Sequence, residues 1–90
     1  MLAFPQNYYY QKEGATIYQG DCLEVLKTFP DNSISCVICS PPYFGLRSYL
    51  KKDHPDKHKE IGSESSMQEH IQALIRVFRE VKRVLRKDGS

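Results

Sequence analysis

The sequence lacks any long apolar run. A membrane-spanning helix needs about eighteen or more apolar residues in succession, and no such stretch occurs among the 90 residues. The opening, MLAFPQNYYY, has no basic segment followed by an apolar one, so no secretion signal is predicted. Long polar tracts are absent as well, and 40% of the residues are hydrophobic and 27% charged. These features indicate a cytoplasmic globular protein with a single domain at most.

Cysteine is scarce, which excludes a disulfide scaffold. The three cysteines, Cys22, Cys36 and Cys39, are an odd number without scaffold spacing, so reduced thiols are expected. Cys36 and Cys39 have the C-x-x-C interval found in some metal and redox sites. Residues three apart in a strand point to opposite faces, however, and no second pair exists. We therefore expect small buried apolar side chains and no metal site.

A strand and a short helix are predicted near the start. Residues 1–15 have no clear period and are expected to form an irregular lead-in. Residues 16–19 favour a strand that Gly20 and Asp21 end, and Asp21 is a good N-cap for a helix directly after it. The next apolar residues have helical spacing: Cys22, Val25, Leu26 and Phe29.

A buried strand, a loop and a long helix are predicted next. Residues 34–39, ISCVIC, are apolar and partly β-branched, as in a strand buried on both faces of a parallel sheet. Residues 44–65 lack a regular period and predict a long loop. Ser66 and Glu69 form a capping box before an apolar series with helical spacing to about residue 86. Gly89, which can adopt the left-handed conformation, is expected to stop this helix.

The order of these elements predicts the fold class. Alternating strands and helices are typical of an α/β protein with a parallel sheet and right-handed crossovers. A further strand is expected after Ser90, so residues 16–90 are interpreted as part of a truncated domain. Ligands of such sheets bind beyond the carboxyl ends of the strands. Gly20-Asp21 and Ser40-Pro41-Pro42-Tyr43 would lie there, on the same edge.

Ser40 to Tyr43 carry the most informative chemistry. Two prolines leaving a strand have no N–H to offer, so the carbonyls become fixed acceptors. Ser40 adds an oxygen and Tyr43 a flat ring. Acceptors that hold both hydrogens of an aromatic amine free its lone pair for attack. Stacking on Tyr43 would contribute about 1–3 kcal/mol, comparable with the few kcal/mol that extruding a base requires. The segment therefore suits a planar amine taken out of a duplex.

This tetrapeptide resembles the signature of the amino-methylating DNA methyltransferases, in which Ser, Asp or Asn precedes two prolines and an aromatic residue. The likeness covers about residues 16–90. Residues 17–26 resemble the strand and helix before the signature, residues 44–47 and 60–62 the loop after it, and residues 77–90 the next helix and turn. The resemblance implies a Rossmann-like fold of which this is the amino-terminal, catalytic part. It also implies S-adenosyl-L-methionine (AdoMet) as methyl donor, no metal, and double-stranded DNA as substrate.

The resemblance assigns the catalytic roles. The Ser40 oxygen and the Pro41 carbonyl would accept hydrogen bonds from the amino group. Tyr43 would stack on the base, and Pro42 would shape the turn. Serine in first position resembles the cytosine-N4 enzymes, and Asp or Asn is typical of the adenine-N6 enzymes, so cytosine is favoured and adenine stays open. Ser40 disfavours a protein or RNA amide substrate, for which Asn is usual. Carbon-5 methylation would need a cysteine where Tyr43 stands.

The family's glycine-rich AdoMet loop, Phe-x-Gly-x-Gly, is missing, since all five glycines are isolated. Permuted members carry the catalytic tetrapeptide first, so the cofactor loop and the target-recognition region are expected beyond Ser90. Residues 1–90 alone are expected neither to bind AdoMet tightly nor to catalyse methyl transfer. Asp21 and its neighbour Cys22 lie where methyltransferases of this fold contact AdoMet, although helix capping also explains Asp21.

Basic residues after the tetrapeptide are candidate DNA contacts. Arg47, Lys51 and Lys52 would touch phosphates in a salt-dependent way, although Arg47 could instead pair with a carboxylate. His54 and His58 flank a proline that disfavours the helix required by a zinc-binding pair. An inactive α/β module with at most weak nucleic-acid binding is the non-enzymatic alternative. A restriction endonuclease partner, a phage role and an orphan regulatory role all remain open.

Overall fold

A computed structural model describes residues 4–45 and 48–90. Its regular elements are β1 (Tyr10–Lys12), β2 (Ala15–Ile17), α1 (Cys22–Lys27), a 3₁₀ turn (Lys57–Lys59) and α2 (Met67–Val84). The contacts divide the chain into two units. The first combines the described residues up to Val37 with Arg79–Ser90, and the second is Ile38–Phe78. The described residues combine strands and helices, as predicted for the α/β class, but their one regular sheet is the antiparallel pair β1–β2, and the predicted parallel sheet is not confirmed. Within the described ranges, no helix is long and apolar enough to cross a membrane.

The two strands of the first unit form an antiparallel hairpin. Glu13 and Gly14, which connect them, both have positive φ (51° and 81°), the backbone that a two-residue hairpin turn requires. The paired residues are Tyr10 with Ile17, Gln11 with Thr16 and Lys12 with Ala15. The strand expected at residues 16–19 is thus found at Ala15–Ile17, but its partner lies in the segment expected to be irregular. The first strand could not be predicted because a strand of three exposed residues shows no alternation of apolar and polar residues in the sequence.

Helix α1 begins at the predicted cap. The Asp21 backbone is extended, and its carboxylate accepts a hydrogen bond from the Glu24 N–H at 3.2 Å. This contact confirms the N-cap. After six helical residues the chain turns at Phe29, whose ring packs edge-on against Phe4 and Tyr18 with centroids 5.6 and 5.2 Å away. These aromatic contacts hold the lead-in against the end of α1.

The second predicted strand is reduced to a single bridge. Ile34 pairs in parallel with Leu85, and backbone hydrogen bonds join residues 33–37 to residues 84–90. Beyond this pairing the chain is exposed, Ile38 to 93%. The expected burial of the thiols is wrong, because all three are exposed: Cys22, Cys36 and Cys39. A strand buried on both faces needs helices or another layer over each face of the sheet, and the described residues leave Ser35, Cys36, Ile38 and Cys39 exposed.

Gly89 is required for close approach rather than for a left-handed backbone. It is not among the residues with positive φ, so the expected left-handed stop is not observed. A Cβ at Gly89 would lie 2.8 Å from Leu85 Cδ1, 2.9 Å from the Ser35 carbonyl oxygen and 3.0 Å from the Arg86 carbonyl oxygen. The glycine therefore permits the end of the chain to pack against residues 33–37.

Helix α2 begins at the predicted serine cap. The Ser66 Oγ accepts a hydrogen bond from the Glu69 N–H at 3.2 Å. The Glu69 carboxylate accepts a hydrogen bond from the Ser65 N–H at 3.2 Å. In a standard capping box this carboxylate would instead bind the N–H of the cap residue itself, Ser66. The helix ends at Val84, close to the expected residue 86. In the first unit Val84 is a buried apolar residue, with 1% of its surface exposed.

Arg83 joins α2 to α1 within the first unit. Its Nη2 donates to the Leu26 carbonyl at 2.8 Å and its Nη1 to the Phe29 carbonyl at 2.9 Å. A cation at this position stabilises the carboxyl end of a helix. The guanidinium also pairs with Asp31, and with Glu80 at 3.0 Å, and these two hydrogen-bonded carboxylates raise the pKa of Arg83.

Replacing Arg83 with alanine is expected to lower Tm by about 4–8 °C, the shift typical of one substantial lost interaction in a domain of this size. The carbonyls at the end of α1 would lose the donors described above. Arg86→Ala is the matched control, because that guanidinium contacts Asp88 on the surface, and a shift below about 2 °C is expected. Thermal unfolding followed by circular dichroism measures both. Equal shifts would show that Arg83 does not dock the helices.

Candidate active site

The predicted tetrapeptide, Ser40 to Tyr43, lies at the surface of the second unit. All four residues are exposed, and Tyr43 is exposed to 74%. Among residues 4–45 and 48–90, the Ser40 hydroxyl has no hydrogen-bond partner. The segment does not stand at the tip of a regular strand, since the described residues before it form one isolated bridge at Ile34 and a few backbone hydrogen bonds to residues 84–90. Its oxygens and ring are nevertheless accessible to a ligand.

Gly62 packs against the carboxyl side of the tetrapeptide. Its carbonyl accepts a hydrogen bond from the Gly45 N–H at 2.7 Å. A Cβ at Gly62 would lie 3.0 Å from the Tyr43 carbonyl oxygen and 3.5 Å from the Pro42 Cβ. The φ of Gly62 is 103°, which L side chains rarely adopt. Sequence reasoning placed residues 60–62 in the resemblance but did not find this contact.

A histidine–carboxylate pair lies beside Gly62. His70 is 5% exposed, and its Nδ1 is 2.9 Å from Glu64 Oε1. The same oxygen accepts the Gly62 N–H at 2.8 Å. The Phe44 ring lies 5.6 Å from the imidazole. Sequence reasoning assigned no role to these side chains. The available signal was that His70 stands four residues before Leu74, on the apolar face of the helix.

Asp21 lines a cavity of about 260 Å³ in the first unit. The carboxylate is half-buried, and one of its oxygens is used by the helix cap. The other polar side chains that line the cavity are Asn7, Tyr18, Gln19, Glu24 and Thr28. Cys22, the second predicted cofactor residue, is exposed and does not line the cavity. Partial burial and the Asp21 carboxylate raise the pKa of the Cys22 thiol.

The basic loop residues differ in their surroundings. Lys51 and Lys52 are exposed in the second unit, and Arg47 lies outside the described residues. Lys57, in contrast, is held in place. Its Nζ donates to Glu60 at 2.7 Å and to the Leu50 carbonyl at 3.1 Å. Of the predicted DNA-contacting residues, Lys51 and Lys52 are the two that the structure describes, and both have side chains exposed to solvent.

Glu60 organises the loop that carries these lysines. Its Oε2 accepts the Leu50 N–H at 2.7 Å and the Tyr49 N–H at 3.1 Å. Its Oε1 accepts hydrogen bonds from Lys57 and from the Ser63 hydroxyl. The Lys57 and Ser63 hydrogen bonds, followed by that of the Leu50 amide, lower the pKa of Glu60 from 4.5 to about 2. One carboxylate thus fixes both ends of the loop.

Acidification is expected to release this loop between about pH 4.5 and 2. Because the folded pKa of Glu60 is depressed, its contribution is complete above the ordinary value of 4.5 and is lost as the pH falls through about 2. The Leu50 amide proton should report the change by NMR with a midpoint near pH 2. Glu60→Gln should remove this titration. A Leu50 midpoint near 4.5 in the unsubstituted protein would contradict the assignment.

Comparison with known proteins finds similarity to methyltransferases, although no family model and no solved structure matches the chain. It is 44% identical over 77 residues to the type II methyltransferase M.Cfr9I of Citrobacter freundii. It is 43% identical over 77 residues to M.XycI of Xanthomonas campestris pv. cyanopsidis, and 39% identical over 74 residues to M.SfiI of Streptomyces fimbriatus. These matches cover 86%, 86% and 82% of this chain.

The chain is therefore homologous to type II methyltransferases, and the predicted resemblance is confirmed. The matches cover 24% of M.Cfr9I and of M.XycI and 16% of M.SfiI. The chain thus spans about a quarter of the length of the first two relatives. Because the matches span 74–77 of the 90 residues, they necessarily include the exposed tetrapeptide and most of the second unit.

Proposed function

We propose that the chain carries the catalytic tetrapeptide of an AdoMet-dependent DNA methyltransferase that modifies the N4 amino group of cytosine. The exposed Ser40–Tyr43 segment carries this proposal, together with homology to proteins named type II methyltransferases. The proposed substrate is double-stranded DNA in the cytoplasm, and a restriction endonuclease is a candidate partner because the relatives are named type II methyltransferases. The parallel bridge between Ile34 and Leu85 supports a Rossmann-like parallel sheet for the domain.

The tetrapeptide would act by alignment. The Ser40 Oγ and the Pro41 carbonyl accept hydrogen bonds from the two N–H groups of the amine, which favours a pyramidal nitrogen with a free lone pair. Tyr43, 74% exposed, offers its ring to the extruded base, and such stacking contributes about 1–3 kcal/mol. Pro42 keeps the turn rigid. Correct positioning of this kind lowers the barrier without a covalent intermediate on the protein.

The cavity beside Asp21 fits part of the methyl donor. Its volume of about 260 Å³ is just below the range of about 300–1,000 Å³ usual for small-molecule sites, so it suits one portion of a larger ligand. The Asp21 carboxylate would accept a hydrogen bond from the adenine amino group. When bound, AdoMet supplies an electrophilic methyl group. Because Cys22 does not line the cavity, Asp21 is the stronger candidate for this contact.

Nucleoside analysis of modified DNA tests this proposal. The complete translation product of the gene that contains these residues would be incubated with AdoMet and DNA, and the DNA digested to nucleosides. N4-methylcytosine is expected. Recovery of N6-methyladenine alone would replace cytosine with adenine as the substrate. No transfer by a folded product would favour the inactive α/β module.

The exposed lysines are expected to contribute to DNA affinity through phosphates. Replacing Lys51 and Lys52 with alanine removes two cations, and each phosphate contact contributes about 0.9 to the slope of log affinity against log salt. The double variant should therefore lower the magnitude of that slope by about 1.8. Fluorescence anisotropy at several salt concentrations measures it. An unchanged slope would place the DNA elsewhere.

A further inference from the structure

The catalytic tetrapeptide needs support that its own secondary structure does not provide. Residues 40–43 belong to no helix or strand and are exposed. Catalysis by positioning nevertheless requires their oxygens and ring to keep a fixed geometry. The contacts that constrain this segment must therefore come from other parts of the second unit.

Gly62 supplies one such contact. It hydrogen-bonds to Gly45 and lies against the Tyr43 carbonyl, whose oxygen would be only 3.0 Å from a Cβ at Gly62. Its own N–H donates to both oxygens of Glu64, at 2.8 and 3.2 Å. The position of Gly62, and with it the exit of the tetrapeptide, is therefore tied to the Glu64 carboxylate.

His70 fixes that carboxylate. Partial burial opposes ionisation of Glu64, but the hydrogen bonds from the Gly62 amide and from His70 lower its pKa. An ionised carboxylate can only accept, so the Nδ1 of His70 carries the hydrogen in this pair. The imidazole is almost fully buried on α2, and its other neighbour is the ring of Phe44, the residue directly after Tyr43.

We propose that Glu64 and His70 are positioning residues for the methyl-transfer site. They connect the rigid helix α2 to the tetrapeptide by two routes, through the Gly62 amide and through the Phe44 ring. Neither side chain touches the reacting atoms. The inference rests on the proposed function, and it identifies residues outside the tetrapeptide that determine its geometry.

Three substitutions separate positioning from general stability. His70→Leu and Glu64→Gln are expected to lower kcat by about 10- to 100-fold, because a displacement of about 1 Å can reduce the rate 100-fold. The KM for AdoMet should remain within twofold, since the Asp21 cavity is built from other segments. His70→Asn, which can keep a donor near the Nδ1 position, should recover most of kcat.

Glu69→Gln is the matched control. It also removes a carboxylate at the start of α2, but that group binds Ser65 rather than Gly62, and kcat should not change. The complete translation product is used throughout. A fall in Tm with unchanged kcat in Glu64→Gln and His70→Leu would overturn the positioning role and leave a structural one.

Amide hydrogen exchange at Gly45 tests the proposed linkage from Glu64 through Gly62 to Gly45, here called the clamp, without a measurement of enzyme activity. The Gly45 N–H is bonded to the Gly62 carbonyl, so exchange should accelerate about tenfold in Glu64→Gln and stay unchanged in Glu69→Gln. Unchanged exchange in Glu64→Gln would overturn the inference, whatever the activity. If the unsubstituted protein transferred no methyl group, the proposed function would fail, and the Gly45 measurement would still decide whether the clamp exists.

Discussion

Replacing Ser40 with alanine is expected to lower kcat for methyl transfer by about 10²–10³-fold while AdoMet binding is retained. Losses of this size are found when one preorganised hydrogen-bonding group is removed from a transition state. The Ser40 hydroxyl is exposed and has no partner within residues 4–45 and 48–90, so its removal should not disturb neighbouring contacts. Single-turnover transfer from labelled AdoMet measures the rate, and equilibrium titration measures binding.

Ser35→Ala is the control for this substitution. Ser35 is also exposed, and the chain uses its carbonyl rather than its hydroxyl, as acceptor of the Ser90 N–H. Its loss should leave kcat unchanged. Equal losses of AdoMet binding and turnover in Ser40→Ala would mean that Ser40 supports the fold, and the proposed alignment of the amino group would then be wrong.

Gly62→Ala is expected to reduce kcat by about 10- to 100-fold, because backbone strain adds to a shift of the neighbouring atoms at a site where a displacement of about 1 Å lowers the rate about 100-fold. Alanine disfavours a φ of 103°, and its methyl group would press on the Tyr43 carbonyl. Because both atoms are attached to backbone, the backbone at Gly62 or at Tyr43 must shift by a few tenths of an ångström. Steady-state kinetics should show the change in kcat, with the KM for AdoMet preserved.

Gly45→Ala provides the matched comparison. Gly45 also has a positive φ, 67°, but a Cβ there meets none of the described atoms within 4 Å. This variant therefore carries the backbone strain of the left-handed region, about 1–2 kcal/mol, without the clash. A smaller loss of kcat than in Gly62→Ala is expected. Equal losses would assign the effect to strain rather than to the contact with Tyr43.

Features set by neighbouring residues could be predicted from the sequence. Asp21 and Ser66 cap their helices through hydrogen bonds to the third residue along, and such short-range chemistry is visible in the residue order. The long α2 helix was predicted from its apolar period. The tetrapeptide was found from its composition and proved to be exposed. Whether it acts on cytosine stays a prediction.

Features set by distant residues could not be predicted. The expected strand at residues 34–39 needs partners to become regular, and its propensity alone yields one bridge. The exposed thiols result from the same shortage of neighbours. Gly62, Glu64 and His70 are close in the sequence, but they meet only because the backbone before α2 turns the Glu64 carboxylate back toward the helix. No residue spacing in the sequence predicts these contacts.

The docking of Arg83 onto the end of α1 has a consequence for synthesis on the ribosome. The first unit combines the beginning of the chain with residues 79–90. Helix α1 therefore lacks its contacts with Arg83 until those residues have been synthesised. Elongation at about 5–20 residues per second adds residues 38–78 in roughly 2–8 seconds. During that interval the Leu26 and Phe29 carbonyls lack their Arg83 donors, so the end of α1 is expected to be less stable than in the complete unit.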